Sequence, residues 1–482
     1  MQPGNVALIL HAHHPYVRAA GRSYAGEESL HALIASSLIP TLGALHDLHE
    51  QGATPRVGLA WSPMLLEQLA DPVVQKHFSF WLDDWLARLD QTGALLSHEH
   101  ESARAYLIRY YREWGQGIRH SFDQRFGRNL VGALRVLCEA GVVEPIFSTA
   151  TDVPCGQISR VGTLRAQIEL GALAVTRWCG GQPQGFWPPA QDYSPNTAAL
   201  LVDAGATYVV GNLDGIDGTE ARATGIDARA TGGWLLENRL AALRYDQGLA
   251  PYLDDPALAY SGDPLYRSPA TGADGLAWFR NGLAAPNEPY DPFDALLRAH
   301  EHAEHFADVL AARTNSAALE LVVLDTALLG ADWFEGPTWL QALVRMLAAR
   351  SDLALTLPAD WLRANRPKRM VDQAANRRHP TGEQRSSLRR TLHSAENRLA
   401  ALARRLPDAE SERERVLQQA ARELLLAQAG TTPHEITKHL ARCDQLCAIA
   451  EHPTLSDTDL TTLETWEEED NPFAYLNYRM FA

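Results

Sequence analysis

Gly185-Phe186-Trp187-Pro188-Pro189-Ala190-Gln191-Asp192-Tyr193-Ser194-Pro195 runs from an apolar strand candidate, 184–188, into a turn signalled by Tyr193-Ser194-Pro195. It sets an aromatic ring and a carboxylate just beyond the carboxyl end of a strand. The same transition recurs elsewhere. Val6-Ala7-Leu8-Ile9-Leu10 is continuously apolar, as a strand buried on both faces of a parallel sheet requires, and His11, His13 and His14 follow it. Further strand candidates are 55–60, 143–149, 207–210, 319–324 and 353–356. Helical stretches lie between most of them, and alternation on this scale points to a parallel α/β barrel. Barrel chemistry sits on loops at the carboxyl ends of strands.

Two regions depart from the alternation. Residues 62–140 are long, aromatic and helical in pattern, and 214–287 are rich in Gly, Asp and Pro; both are expected to be insertions over the barrel mouth. After about residue 366 the composition shifts to Arg, Glu, Ala and Leu, and Leu388, Leu392, Leu399, Leu402 and Leu406 recur at helical spacing. The expected division is a barrel over 1–365 and a separate α-helical region over 366–482. The basic tract 368–390 is read as a solvated, charged face.

A chain of 482 residues exceeds one ordinary core of roughly 150 residues, barrels being the exception, and 46% hydrophobic with 21% charged residues allows a large core. Its 43 basic and 59 acidic residues leave a net charge of -16, which excludes a nucleic-acid partner by simple repulsion and favours neutral or cationic ligands. Five cysteines without a C-x-x-C pair argue against a disulfide framework or structural zinc site. Cys443 and Cys447, four apart on a helical stretch, read as neighbouring buried thiols. The opening residues lack a basic leader region, and no apolar run approaches the ~20 residues of a membrane span, so a cytoplasmic protein without membrane association is expected.

Several strand ends carry candidate chemistry. Asp325 follows an apolar strand, where an isolated carboxylate would be costly to bury, so it is expected to face a substrate; pairing with an Arg is the alternative. Asp152 follows 143–149, with turn chemistry before Pro154 as the plainer account. His11 and His13 form H-x-H, which in amidohydrolase-like barrels holds a divalent metal that Asp325 could help to complete. The intervening strand ends offer no clear Lys or His to finish such a set. His300, His302 and His305 imitate a metal cluster on a helix, and exposed helical polar residues explain them equally well.

The order of motifs adds a resemblance. The opening His11-Ala12-His13-His14-Pro15-Tyr16-Val17-Arg18, then Gly26-Glu27-Glu28, the 185–195 segment, 324–336 with its Asp325, and Asp470-Asn471-Pro472-Phe473 together resemble glycoside hydrolase family 57, of the 1,4-α-glucan branching enzyme type. The resemblance implies a (β/α)7 barrel with an α-helical carboxyl-terminal domain that helps to wall the cleft. It implies action on α-1,4-glucan or maltooligosaccharide, through a covalent glucosyl-enzyme passed to a 6-hydroxyl, with no metal or organic cofactor. Asp325 falls on the family's general acid/base, and His11 and His13 on histidines that bind the sugar at the cleaved bond. Trp187, Trp333, Trp278 and Tyr266 become candidates for a sugar platform, ordinary core packing being the alternative for each.

The departures concern functional positions. The family's nucleophilic Glu falls on Ala190, whose methyl cannot attack an anomeric carbon. Asp152 stands where the family has a His, Ala331 replaces another, and Thr432 takes the place of a cleft tryptophan. Asp192 could substitute for the lost carboxylate, since residues i and i+2 of an extended strand share a face, displaced by roughly 6 to 7 Å; capping the following helix is the alternative. The leading expectation is thus a glucan-binding or regulatory protein without conventional retaining glucanotransferase activity. Active hydrolysis or branching through Asp325 with Asp192 or Asp152 is the second reading, and a metal-dependent hydrolase built on His11 and His13 the third.

Overall fold

Short apolar runs become nine strands of one sheet in the computed structural model, which describes residues 3–21, 23–95, 101–193, 195–211, 233–245, 247–253, 255, 258–272, 275–282, 288–314, 319–367 and 383–482. They are β1 (Gly4–Ala12), β2 (Val57–Trp61), β3 (Val143–Phe147), β4 (Gly185–Phe186), β5 (Tyr208–Gly211), β6 (Gly233–Leu235), β7 (Ala241–Arg244), β8 (Leu319–Asp325) and β9 (Leu353–Leu355). Their order is β6-β7-β5-β4-β3-β2-β1-β8, and β9 joins the start of β1 at Gly4 to Val6. Every pairing is parallel except β6 with β7. The seven parallel strands from β7 round to β8 make the wall of a (β/α)7 barrel.

Alternation along β1 sorts its side chains. Val6, Leu8, Leu10 and Ala12 pack outward into the large core under the helices. Ala7 and Ile9 join Ile146, Tyr208, Val210 and Leu321 in a second cluster that fills the barrel interior. With both faces apolar the strand needs no polar alternation. Each such Leu or Ile contributes roughly 1.5–3 kcal/mol by burial, so truncating Leu8 to Ala costs about 2–5 kcal/mol.

The helical pattern of 62–140 is realised as Pro63–Ala70, Pro72–Leu95, Glu101–His120 and Leu130–Glu139. The region 214–287 is corrected: Ala241–Arg244 is a strand of the barrel itself, hydrogen-bonded to β5 and backed by the antiparallel β6. Its Ala-Ala-Leu-Arg sequence carries little strand propensity, and pairing on both sides decides it. Residues 212–232 and most of the basic tract 368–390 lie outside the described residues. One helical stretch passes a membrane span's length and composition, and it is a core helix. Glu28–Glu50 forms one continuous helical stretch of 23 residues, apolar enough by composition, but 72% of its apolar window is buried inside the protein.

Helices Glu383–Arg405, Ser411–Ala429, Pro433–Ala450 and Asp457–Glu469 build their own core around Leu399, Leu417, Leu424 and Leu446. That core also takes in Ala150, Ala166, Leu170 and Ala174 from the barrel. Polar contacts reinforce the seam. Glu67 accepts from Trp178 Nε1 at 2.5 Å, from the Phe473 N–H at 2.9 Å and from the Tyr475 hydroxyl at 2.8 Å. The Asp470 to Phe473 tail is therefore a docking element against the barrel. Cys443 and Cys447 are fully buried and hydrogen-bonded to one another.

Candidate active site

The carboxyl ends of β1, β3 and β8 and the loop after β4 bring one polar group together. His11 lies opposite Asp325 in the register of β1 and β8. The Thr326 N–H donates to the His11 carbonyl at 2.7 Å, pinning both strand ends. Asp325 is exposed, and its Oδ1 accepts from the Ala327 N–H at 2.8 Å, so the carboxylate is oriented yet open to solvent. The loop behind it depends on Gly330, whose φ is 121° and whose missing Cβ would lie 1.8 Å from the Ser36 carbonyl oxygen. Any side chain there would push the Asp325 loop off the helix beneath.

Trp187 is buried and stacks on His11, with ring centroids 4.6 Å apart and planes at 28°. Burial lowers the His11 pKa; Asp152 and Asp325 pull it up, and His13 adds to the lowering. The net result favours a neutral imidazole, able to donate one hydrogen bond and accept another. Next to it, His13 Nδ1 lies 3.0 Å from Ser62 Oγ and 3.5 Å from Asp152 Oδ2. Asp152 has a left-handed φ of 57°, its N–H donates to the Thr149 carbonyl at 3.0 Å, and Ser148 Oγ donates to its Oδ1 at 3.0 Å. It builds the turn after β3 and keeps a carboxylate beside His13, so the turn role and the site position coexist.

Ala190 is exposed in a left-handed conformation (φ 51°, ψ 23°), and Gln191 follows with φ 56°. β4 ends at Phe186, so no extended strand relates residues 190 and 192. The shared-face argument for Asp192 is thereby corrected. Asp192 is buried, and its Oδ2 accepts from the Gly156 N–H at 2.7 Å, fastening the loop after β4 to the turn Cys155–Gln157.

Other expected contacts fall elsewhere. Trp333 is 2% exposed and packed against Trp339 and Tyr266 at centroid distances of 5.1 and 5.5 Å. Trp278 is 5% exposed with the Arg104 guanidinium 5.5 Å from its ring centre, and Tyr266 is fully buried. These three rings present no open face to a pyranose; core packing has taken them. His302 and His305 are held by the Tyr266 and Tyr260 hydroxyls at 2.8 and 2.6 Å, and burial with Arg298 pushes the His302 pKa down to about 4. Thr432 caps the helix Pro433–Ala450 in a reciprocal box with Glu435.

Two buried clusters escaped the sequence reading. Glu27, with no exposed surface, accepts from the Ala19 N–H at 2.5 Å and lies 2.9 Å from His31 Nε2 and 3.0 Å from His77 Nδ1. Burial would raise its pKa, but the bonds from His31, Ala19 and His77 outweigh that and hold it below its ordinary value. The knot closes the loop that follows β1. Its local signal was the i, i+4 pair Glu27 and His31 at a helix start; His77 came from 50 residues away. The second cluster is Glu423, His439 and Asp470, the group with metal-like spacing among the described residues. Arg442 already lies 2.6 Å from Asp470 Oδ2 and Lys438 3.5 Å from it, so cationic side chains occupy the place a cation would take. His11 and His13 gather no comparable third ligand among the described residues.

The model of glycosyl hydrolase family 57 matches residues 7–282, more than half of the chain, and that of the 1,4-alpha-glucan branching enzyme C-terminal region matches 391–481. A 1,4-alpha-glucan branching enzyme of Thermococcus kodakarensis is 25% identical over 529 aligned residues, covering 98% of this chain and 77% of its own. Among solved structures, the branching enzyme of Pyrococcus horikoshii superposes with a TM-score of 0.84 at 24% identity, over 99% of this chain and 96% of that one. An alpha-amylase of Thermotoga maritima gives 0.87 at 20% identity, over 100% and 99%. At these identities the two structures speak for the fold alone.

Proposed function

The chain belongs to glycosyl hydrolase family 57, and from that membership we propose that it is an α-glucan-directed protein in which Ala190 stands at the nucleophile position and the retaining reaction is lost. The observation that carries the reading is the state of the carboxylates at the mouth. Asp325 is exposed beside His11, while Asp192 is buried on the Gly156 N–H and Asp152 is held by Ser148 beside His13. A retaining glycosidase needs two carboxyl groups about 5–5.5 Å apart across the bond, one of them free to attack. An exposed alanine on a left-handed turn supplies none. The neutral His11, Asp325 and the polar rim remain suited to binding a neutral sugar. The relatives named as 1,4-alpha-glucan branching enzymes make α-1,4-glucan the ligand of choice.

One observation favours a second reading. Asp325 lies opposite His11 in the sheet register and Asp152 lies 3.5 Å from His13, so two carboxylates border the histidine pair. In that arrangement Asp325 would be the acid and Asp152 the base that activates a water, with inversion.

The test is incubation with amylose and maltooligosaccharides, following reducing ends and α-1,6 linkages. The native protein is expected to be silent and Ala190→Glu to gain activity that Asp325→Asn removes. Native turnover abolished by Asp152→Asn would establish the second reading and sink the first.

A further inference from the structure

Outside the barrel mouth, a groove of about 380 Å3 runs along the flank between the helical stretch Glu28–Glu50 and the helices Glu101–His120 and Gly336–Ala349. We propose that it is a second binding site for α-1,4-linked maltooligosaccharide, an inference that rests on the glucan reading above.

Its volume lies within the range of about 300–1,000 Å3 usual for small-molecule sites. Trp114, Tyr110 and Phe334 line it, each half-buried, with Trp114 and Phe334 5.5 Å apart. The Arg267 guanidinium sits over the Phe334 ring, 4.1 Å from its centre, so half-buried Trp114 and Tyr110 are the rings left to offer a face to the C–H side of a pyranose. Facing them is a prearranged polar set. Arg125 pairs with Asp47 at 2.7 Å, and Gln341 Nε2 reaches Asp47 Oδ2 at 3.4 Å. Arg125 also pairs with Glu50 at 3.2 Å, so the set carries no excess positive charge to attract an anion, and amide, carboxylate and guanidinium groups together suit neutral hydroxyls.

The backbone supplies an independent observation. Two segments of π-helix, Ile34–Leu38 and Ser121–Arg125, come from different helices, and both line this groove through Ser36, Ser121 and Arg125. Such bulges cost helical regularity and cluster at functional sites. Gly117 also lines the groove, and a Cβ added there would meet nothing within 4 Å. The groove also touches the mouth: Ser36 packs under Gly330, and Ser37 Oγ donates to the Ala327 carbonyl at 3.3 Å, two residues from Asp325.

The experiment titrates the full chain with maltoheptaose and reads hydrogen-exchange protection of 34–47 and 110–121 separately from that of 8–13 and 324–330. Gly117→Phe puts a ring into the groove from a position where an added Cβ meets nothing within 4 Å; His11→Ala weakens the mouth. Protection of 34–47 and 110–121 that survives His11→Ala and falls at least tenfold in affinity in Gly117→Phe is the expected result. Protection confined to the mouth and unchanged in Gly117→Phe overturns the groove while leaving the glucan reading intact. Absence of protection anywhere overturns both.

Discussion

Asp192 and Ala190 sit two residues apart and illustrate how a local turn reassigns chemistry. On an extended strand Asp192 would share a face with residue 190; two left-handed residues instead turn it inward onto the Gly156 N–H. The left-handed conformation costs a non-glycine residue roughly 1–2 kcal/mol, so the turn persists only because the surrounding packing and this bond hold it. Asp192→Ala should leave a backbone donor unpaired and cost about 1–3 kcal/mol in urea unfolding. Asp192→Asn keeps an acceptor oxygen and should lose much less. If any native glucan turnover disappeared in Asp192→Asn while stability was preserved, Asp192 would be catalytic after all. His11, His13 and Asp325 were legible in the sequence because each terminates an apolar strand whose direction is known. Trp333 and Trp278 were not, because a tryptophan in a loop beyond the strands reads the same whether its ring meets solvent or packs inward.

Elements of the barrel carry a titration unrelated to the mouth. Glu144 lies on β3, accepts from the Tyr208 hydroxyl and from the Ala359 N–H at 3.0 Å, and is buried. Burial pushes its pKa up to about 7, against the lowering effect of those two bonds. An acid whose folded pKa is raised binds its proton more tightly when folded, so stability is greatest below the unfolded value near 4.5 and falls as pH rises towards 7. The loss is about 3 kcal/mol. Glu144→Gln can accept from the Ala359 N–H and donate its amide to the Tyr208 oxygen without carrying a charge, and should flatten the decline between about pH 4.5 and 7 and stabilise the protein above it, as measured by denaturant midpoints across pH. An unchanged slope would show that other groups control it. At this scale the long apolar strands β1 and β8 were readable from composition, whereas β7 was not. Four residues of weak propensity became a strand because β5 and β6 offered their hydrogen bonds on either side.

Across the whole molecule, barrel and helical region meet along a seam in which Glu67 gathers three donors. Glu67→Ala would strand the Trp178, Tyr475 and Phe473 donors together, for a cost of at least about 2 kcal/mol. The expected outcome is earlier release of the carboxyl-terminal tail in limited proteolysis, with the barrel's far-UV signal retained; a tail no more susceptible than in the native protein would refute it. The sequence by itself determined what short-range chemistry can encode. Apolar runs specified most of the parallel strands, helical periodicity the carboxyl-terminal region, and motif order the family. Tertiary structure alone decided which polar groups meet. Glu27 with His77, Asp192 with Gly156, and Asp47 with Arg125 join distant parts of the chain, and burial, which strengthens such pairs and penalises the unpaired, exists only after the chain has closed on itself.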